Sequence, residues 1–261
     1  MTALLRAAHG GPALAVTVLA LLLGVAADLG PARLALVGLA VLAGQLSIGW
    51  SNDLVDLPRD RAVGRRDKPI PAGEVGERTV RLACATAVVA VVPLSLACGP
   101  RAGLVHLASV ASGWAYNLGL KSTVWSWLPY AFSFGALTVF VSLAGEPGGA
   151  PPWWVPLAGA LLGVGAHLVN VLPDLAADAA TGVHGLPHRL GPRVLPLAAT
   201  GVLVLGSVVV ALGSGRGPAS WVALGVVTVL ALMALTGRGR APFLAAVAIA
   251  LVDVVLLVAG R

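Results

Sequence analysis

The chain has 261 residues, of which 58% are hydrophobic and only 11% are charged, and its formal net charge is +6. Soluble globular proteins average about 25% charged residues, so this composition excludes an ordinary soluble domain. A nucleic-acid-binding protein is also excluded, because basic and aromatic residues are not interleaved and no recognition motif appears. The composition instead predicts a protein embedded in a lipid bilayer.

Apolar runs of membrane-spanning length, about 17–25 residues, recur along the chain. Ten-residue alternating segments typical of membrane strands are absent, and helices are the other structure that satisfies the backbone in lipid. We therefore predict an all-α polytopic membrane protein whose nine transmembrane helices form one domain over residues 1–261. The predicted spans are 12–27, 32–50, 80–98, 102–118, 125–144, 153–171, 194–213, 218–236 and 242–259.

Basic residues predict the orientation of this bundle. With nine spans and the N-terminus inside, 13 of the 17 Lys and Arg residues fall on the cytoplasmic side. We therefore expect a multi-pass protein of the plasma (inner) membrane with a cytoplasmic N-terminus. Two long polar loops, about 52–78 and 173–193, also fall on the cytoplasmic side, so that they share one side of the bundle.

The first of these loops begins with "NDLVDLPRD", residues 52–60. Asp53, Asp56 and Asp60 are spaced i, i+3 and i+7, which places them on one helix face if the helix continues. Pro58 is expected to disturb that helix. Carboxylates this close repel one another unless a cation intervenes, and Mg²⁺ prefers such oxygen ligands together with substrate phosphates. Basic residues that could bind phosphate follow: Arg59, Arg61, Arg65, Arg66 and Lys68.

Two further groups of polar residues approach the same side. Tyr116 and Lys121 follow the fourth span, where they are either interfacial anchors or part of a phosphate site. The sixth span carries a polar stripe at offsets 0, 3, 7 and 11, which must face the bundle interior. Its deepest member is either a hydrogen-bonded structural histidine or a residue that lines a pocket. The stripe consists of His167, Asn170, Asp174 and Asp178, with Pro173 expected to interrupt the helix.

These motifs resemble those of the UbiA superfamily of intramembrane prenyltransferases. "NDLVDLPRD" fits the family signature N-D-x-x-D-x-x-x-D, and "DLAAD" (174–178) fits its second signature, D-x-x-x-D. "DRAVGRRDKPIPAG" (60–73) is similar to the basic loop of the family. "YNLGLK" (116–121) resembles the Tyr…Lys motif, although Lys121 is five residues after Tyr116 where a spacing of four is commoner.

The resemblance implies a nine-helix bundle around a central cavity, with Mg²⁺ under a cytoplasmic cap. The substrate would be a prenyl diphosphate, from geranyl to geranylgeranyl or longer. The metal ligands implied are Asn52, Asp53, Asp56, Asp60, Asp174 and Asp178, and the five Asp residues would be the catalytic ones. The implied diphosphate contacts are Arg65, Lys68, Tyr116, Lys121 and Asn170.

The resemblance leaves two reactions open. The prenyl group is transferred to a hydrophobic acceptor (aromatic, quinone precursor or lipid), or it closes on itself in a terpene cyclisation without an acceptor. Lys and Arg are absent from the interior of every span, which disfavours a hydroxybenzoate-type acceptor. A CDP-alcohol phosphotransferase would need a D-G-x-x-A-R element, which the sequence lacks. A cation-coupled transporter would place its charges near the midplane of the bilayer, whereas the acidic clusters here lie at the ends of the spans.

Overall fold

The computed structural model describes residues 2–145, 148–172, 175, 182–215, 217–237 and 241–259. In these ranges the chain is helical and contains no strand. Prolines begin several of the helices, since their fixed φ suits the first turn. The helices are α1 Ala3–Ala7, α2 Gly10–Ala26, α3 Pro31–Ala62, α4 Glu77–Ala97, α5 Pro100–Leu118, α6 Leu128–Leu143, α7 Trp154–Val171, α8 Leu186–Gly213, α9 Pro218–Thr236 and α10 Ala241–Ala259, with a 3₁₀ turn at Leu120–Ser122.

The all-α class predicted from the apolar runs is confirmed. Within the described ranges, each helix from α2 to α10 overlaps one of the predicted spans. Five of them, α3, α4, α7, α8 and α9, are long and apolar enough to cross a membrane, whereas α2 and α6 are apolar but shorter. The more polar α5 is not among the five. That all nine helices cross the bilayer stays a prediction.

Helix α3 carries the first acidic motif, and it continues through Pro58 to Ala62. The expected disturbance at Pro58 is therefore wrong. A proline inside a helix removes one backbone hydrogen bond, but the Pro58 ring lies on the exposed side of α3, away from its packed face. Because the helix persists, Asp53, Asp56 and Asp60 share one buried face.

Consecutive helices pack side by side, and α10 returns to contact both α2 and α7, so the helices form a closed bundle. Two apolar clusters hold it together, one around Phe140 and Val41 and the other around Leu203 and Ile249. A third cluster lies at the end of α3 that carries the acidic motif, and Trp50 belongs to it. We call this the motif end of the bundle.

The N-terminal hairpin, α1 and the first turn of α2, packs on α3 at the motif end. A Cβ atom added at Gly49 would overlap the carbonyl oxygen of Ala8. The Trp50 indole N–H donates a hydrogen bond of 3.0 Å to the carbonyl oxygen of Leu4. Arg6 forms an ion pair with Glu74 in the loop after α3. The hairpin is therefore held against both the motif helix and its following loop.

This close approach predicts that Gly49→Ala destabilises the protein. The neighbouring atom is backbone and cannot rotate away, so we expect a loss of about 1–3 kcal/mol, in the range of other overpacking substitutions. Gly225→Ala in α9 is the matched control, because nothing lies within 4 Å of its added Cβ. Thermal unfolding in detergent measures both. Equal melting temperatures for the two variants would contradict the packing described.

Candidate functional site

The three aspartates of α3 are buried, with exposed fractions of 3% for Asp53, 7% for Asp56 and 1% for Asp60. Lys68, from the loop after α3, bridges two of them. Its Nζ lies 3.1 Å from Asp53 Oδ1 and 2.9 Å from Asp60 Oδ2. Burial lowers the pKa of Lys68, but attraction to Asp53 and Asp60 outweighs this and leaves the pKa above its ordinary value. Lys68 is therefore an ammonium ion at neutral pH.

Lys121 bridges the other two oxygen ligands of the motif. The 3₁₀ turn after α5 brings its Nζ to 2.5 Å from Asp56 Oδ1 and 3.4 Å from Asn52 Oδ1. Arg59 adds a contact of 3.1 Å between its Nη2 and Asp56 Oδ2. Side-chain cations therefore supply part of the positive charge that the sequence pattern alone assigned to a metal.

His9 is a member of the site that the sequence did not indicate. Its Nε2 lies 3.1 Å from Asp53 Oδ1 and 3.4 Å from Asn52 Nδ2. The N-terminal hairpin positions it there, 44 residues before Asp53 in the chain. No spacing pattern connects the two residues, so the packing of the hairpin on α3 was needed to find it.

The oxygen ligands of the motif fit a hard divalent cation in type. Carboxylate and amide oxygens are ligands that Mg²⁺ uses, and it completes its shell with water and substrate phosphates. In the described part of the chain, no three Asp, Glu, His or Cys side chains are grouped closely enough to hold a metal alone. Two oxygen pairs, Asn52 with Asp56 and Asp53 with Asp60, each already face one ammonium group. This arrangement suits a cation that arrives together with a phosphate.

The second acidic motif falls outside the described residues, which include neither Asp174 nor Asp178. The residues that flank its loop are described, and they converge on Ser126. Ser126 Oγ lies 3.1 Å from His167 Nε2 and accepts a hydrogen bond of 3.0 Å from the backbone N–H of Leu186. A Cβ added at Gly185 would lie 2.6 Å from the carbonyl oxygen of Lys121. The helices on either side of the second motif, α7 and α8, therefore both contact the segment 121–126 that follows α5.

Three rings pack together next to this turn. The Tyr130 ring stacks on His167 with centroids 4.6 Å apart, and Tyr116 meets both rings edge-on at 5.3 and 5.8 Å. Tyr130 and Ser126 were not among the predicted residues, because neither belongs to a motif. His167 is 1% exposed, and its Nδ1 has no hydrogen-bond partner among the described residues. One ring nitrogen thus has a structural hydrogen bond, and a pocket-lining role for His167 stays a prediction.

The remaining predicted residues, Arg65 and Asn170, are not buried. Arg65 donates two hydrogen bonds to Asp67, of 2.9 and 2.7 Å, and these hold the Asp67 pKa at about 2. Asn170 is exposed near the end of α7.

Asn117, beside Tyr116, donates hydrogen bonds to the Ile48 carbonyl oxygen and to Ser51 Oγ, and it thereby aligns α5 with α3.

Comparison with known proteins gives consistent matches. The sequence profile described as the UbiA prenyltransferase family matches residues 13–257. The bacteriochlorophyll synthase 33 kDa chain of Cereibacter sphaeroides is 31% identical over 181 residues, which are 65% of this chain and 59% of that relative's own length. Digeranylgeranylglyceryl phosphate synthase of Methanopyrus kandleri is 28% identical over 189 residues, 72% of this chain and 68% of that one.

A solved structure shows the same fold. The UbiA homolog from Archaeoglobus fulgidus bound to GPP and Mg²⁺ has a TM-score of 0.73 and 17% identity, over 99% of this chain and 98% of that one. At this identity the likeness establishes the helical architecture. The GPP and Mg²⁺ are ligands of that homolog.

The ion pairs predict that Lys68→Met lowers the free energy of unfolding by about 3 kcal/mol, because it leaves buried carboxylates without their ammonium partner. This is the lower end of such costs, since His9 and Arg59 still face Asp53 and Asp60. Adding Asp60→Asn to Lys68→Met should recover part of the loss, as expected for coupled residues. The measurement is metal-free chemical denaturation in detergent.

Arg66→Met is the matched control for Lys68→Met. Arg66 is an exposed base in the same loop, so its removal should change the free energy of unfolding by no more than about 0.5 kcal/mol. If Lys68→Met and Arg66→Met cost the same, Lys68 does not stabilise the buried carboxylates.

Proposed function

Because the chain belongs to the UbiA prenyltransferase family, we propose that it transfers the prenyl group of an isoprenoid diphosphate to a hydrophobic acceptor within the membrane. The observation that carries this proposal is the pair of ammonium groups, Lys68 and Lys121, held among four oxygen ligands of one helix face. Such a site offers both a metal-binding surface and cationic donors for a diphosphate. The acceptor belongs to the aromatic, quinone-precursor or lipid class.

The metal would be Mg²⁺, held by Asn52, Asp53, Asp56 and Asp60, with Asp174 and Asp178 contributed by the second motif. Support comes from the oxygen ligands described above and from the homolog of this fold that binds GPP and Mg²⁺. When bound, Mg²⁺ supplies positive charge that stabilises the departing diphosphate. The motif end would face the cytoplasm, as the distribution of Lys and Arg predicts.

The side chains of the protein would act on the diphosphate as its charge develops. Lys68 and Lys121 are single-point donors on flexible stems, so they can turn from a carboxylate to a phosphate oxygen. Cationic groups placed before the reaction stabilise the charge that forms on the leaving group. Arg65, near Asp67, and Asn170, at the end of α7, are proposed as further contacts at the rim.

The ring cluster of Tyr116, Tyr130 and His167 would line the cavity next to the diphosphate. Aromatic faces attract cationic groups, and the cluster therefore suits the positive charge that develops on the allylic carbon. Buried walls also keep water from this carbon. The acceptor then captures the prenyl group. Capture by a double bond of the same chain would make the protein a terpene cyclase, which is the second candidate function.

Substrate assays distinguish these two reactions. We expect geranyl, farnesyl or geranylgeranyl diphosphate to be consumed with Mg²⁺ only when a hydrophobic acceptor is added, with a prenylated acceptor as product. Diphosphate release and extracted products are measured together. A cyclic hydrocarbon or terpene alcohol formed without acceptor would support cyclisation instead. If no acceptor of the three classes is prenylated and no terpene forms, the proposed function is wrong.

The metal and motif requirement forms a separate prediction. Removal of Mg²⁺ with EDTA should abolish turnover, and added Mg²⁺ should restore it. Asp56→Asn and Asp174→Asn should each reduce kcat by about 100-fold or more, comparable with the loss of one charge-stabilising group at other active sites. Glu77→Gln, in a surface ion pair with Arg61, should leave kcat unchanged. Full activity in either Asp variant would exclude the two-motif site.

A further inference from the structure

The backbone of His9 adopts an uncommon conformation. It lies in the left-handed region, with φ 52° and ψ 49°, at the junction between α1 and α2. Glycine enters this region without steric cost, and two glycines follow directly at residues 10 and 11. The chain nevertheless places a histidine at the turn. Residues kept in such regions cluster at functional sites, because the surrounding structure must hold them there.

Several contacts hold the hairpin so that the imidazole reaches the acidic motif. Ala7 and Ala8 are 0% and 1% exposed, and Ala8 lies against Gly49. The Trp50–Leu4 hydrogen bond and the Arg6–Glu74 ion pair secure the two sides of α1. The His9 side chain itself remains 46% exposed. Burial of the imidazole therefore does not explain its position, whereas its bond to Asp53 does.

Asp53 receives two contacts on the same oxygen. His9 Nε2 and Lys68 Nζ each lie 3.1 Å from Oδ1, and neither of these contacts uses Oδ2. A carboxylate oxygen can only accept, so Nε2 donates in this bond. Its approach of 3.4 Å to Asn52 Nδ2, which is also a donor, is then a contact and not a hydrogen bond. A divalent cation next to Asp53 would repel the ammonium of Lys68. A neutral imidazole can keep its bond to Oδ1 while Lys68 turns to the diphosphate.

We propose that His9 is a positioning residue, which holds the Asp53 carboxylate in one orientation for metal binding through its Nε2–H donor. The inference rests on the proposed function, since it requires that Asp53 is a metal ligand. Hydrogen-bond partners of ligating groups commonly contribute 10–100-fold to metal affinity. The N-terminal hairpin is then part of the active site, and its contact with α3 sets the affinity for the metal.

Two amide substitutions at residue 9 test whether metal binding requires a hydrogen-bond donor at the position of His9 Nε2. Glutamine places its side-chain NH₂ near the position of a histidine Nε2, whereas asparagine is shorter but tolerates the left-handed backbone well. Mn²⁺ is titrated into the purified full-length protein, and free Mn²⁺ is measured by electron paramagnetic resonance. We expect His9→Asn to raise the Mn²⁺ Kd by 10-fold or more, and His9→Gln to stay within about threefold of the unsubstituted protein.

Two controls separate positioning from folding. Arg6→Gln removes only an ion pair between half-exposed side chains. Such pairs contribute little, and the contacts of Leu4 and Ala8 with α3 remain, so the Mn²⁺ Kd should be unchanged. Thermal unfolding of all variants shows whether the hairpin still packs. An unchanged Kd for His9→Asn would overturn the role of His9. So would a rise in Kd for His9→Gln and Arg6→Gln as large as the rise for His9→Asn. If Asp53→Asn binds Mn²⁺ as well as the unsubstituted protein, the metal site of the proposed function is itself wrong.

Discussion

Charge compensation on the buried face of α3 is the constraint around which the motif end is built. Three carboxylates with exposed fractions of 7% or less lie on one helix face. Removing such charges from water costs several kcal/mol each unless oppositely charged partners come close. Lys68, Lys121 and Arg59 provide these partners from three segments of the chain. The loop after α3 and the turn after α5 must therefore converge on this helix.

Under the proposed function, the same contacts that stabilise the free protein would also prepare it for a ligand. An ammonium group held between two carboxylates can move to an anion if cations bound to that anion take its place beside the carboxylates. Exchange of partners would then preserve charge balance at every stage, because a metal ion replaces the ammonium at the carboxylates while the ammonium meets the phosphate. The site could therefore bind a charged headgroup without leaving a buried charge unpaired, which would be costly in a low-dielectric environment.

Close backbone packing lets the surrounding elements approach this face. Gly49 admits the N-terminal hairpin to within contact of α3, and Gly185 admits the end of the second loop to the turn that carries Lys121. Ser126 then joins α7 to the start of α8 through His167 and Leu186. The cluster of aromatic rings therefore lies next to the segment that carries Lys121. An ionic region and an apolar region thus meet at one point, as a substrate with a charged head and an apolar chain requires.

The sequence by itself determined the helical class, the approximate limits of most helices and the one-face spacing of the first motif, whereas α3 extends well beyond its predicted end. These properties depend on local periodicity, and lipid imposes helices on long apolar runs. Tertiary structure decided which residues meet. Lys121 reaches Asp56 across 65 positions, His9 reaches Asp53 across 44, and Tyr130 stacks on His167 across 37. Such pairs have no sequence period, because they depend on how helices pack, and the harmless position of Pro58 likewise became clear only once its exposed side of α3 was known.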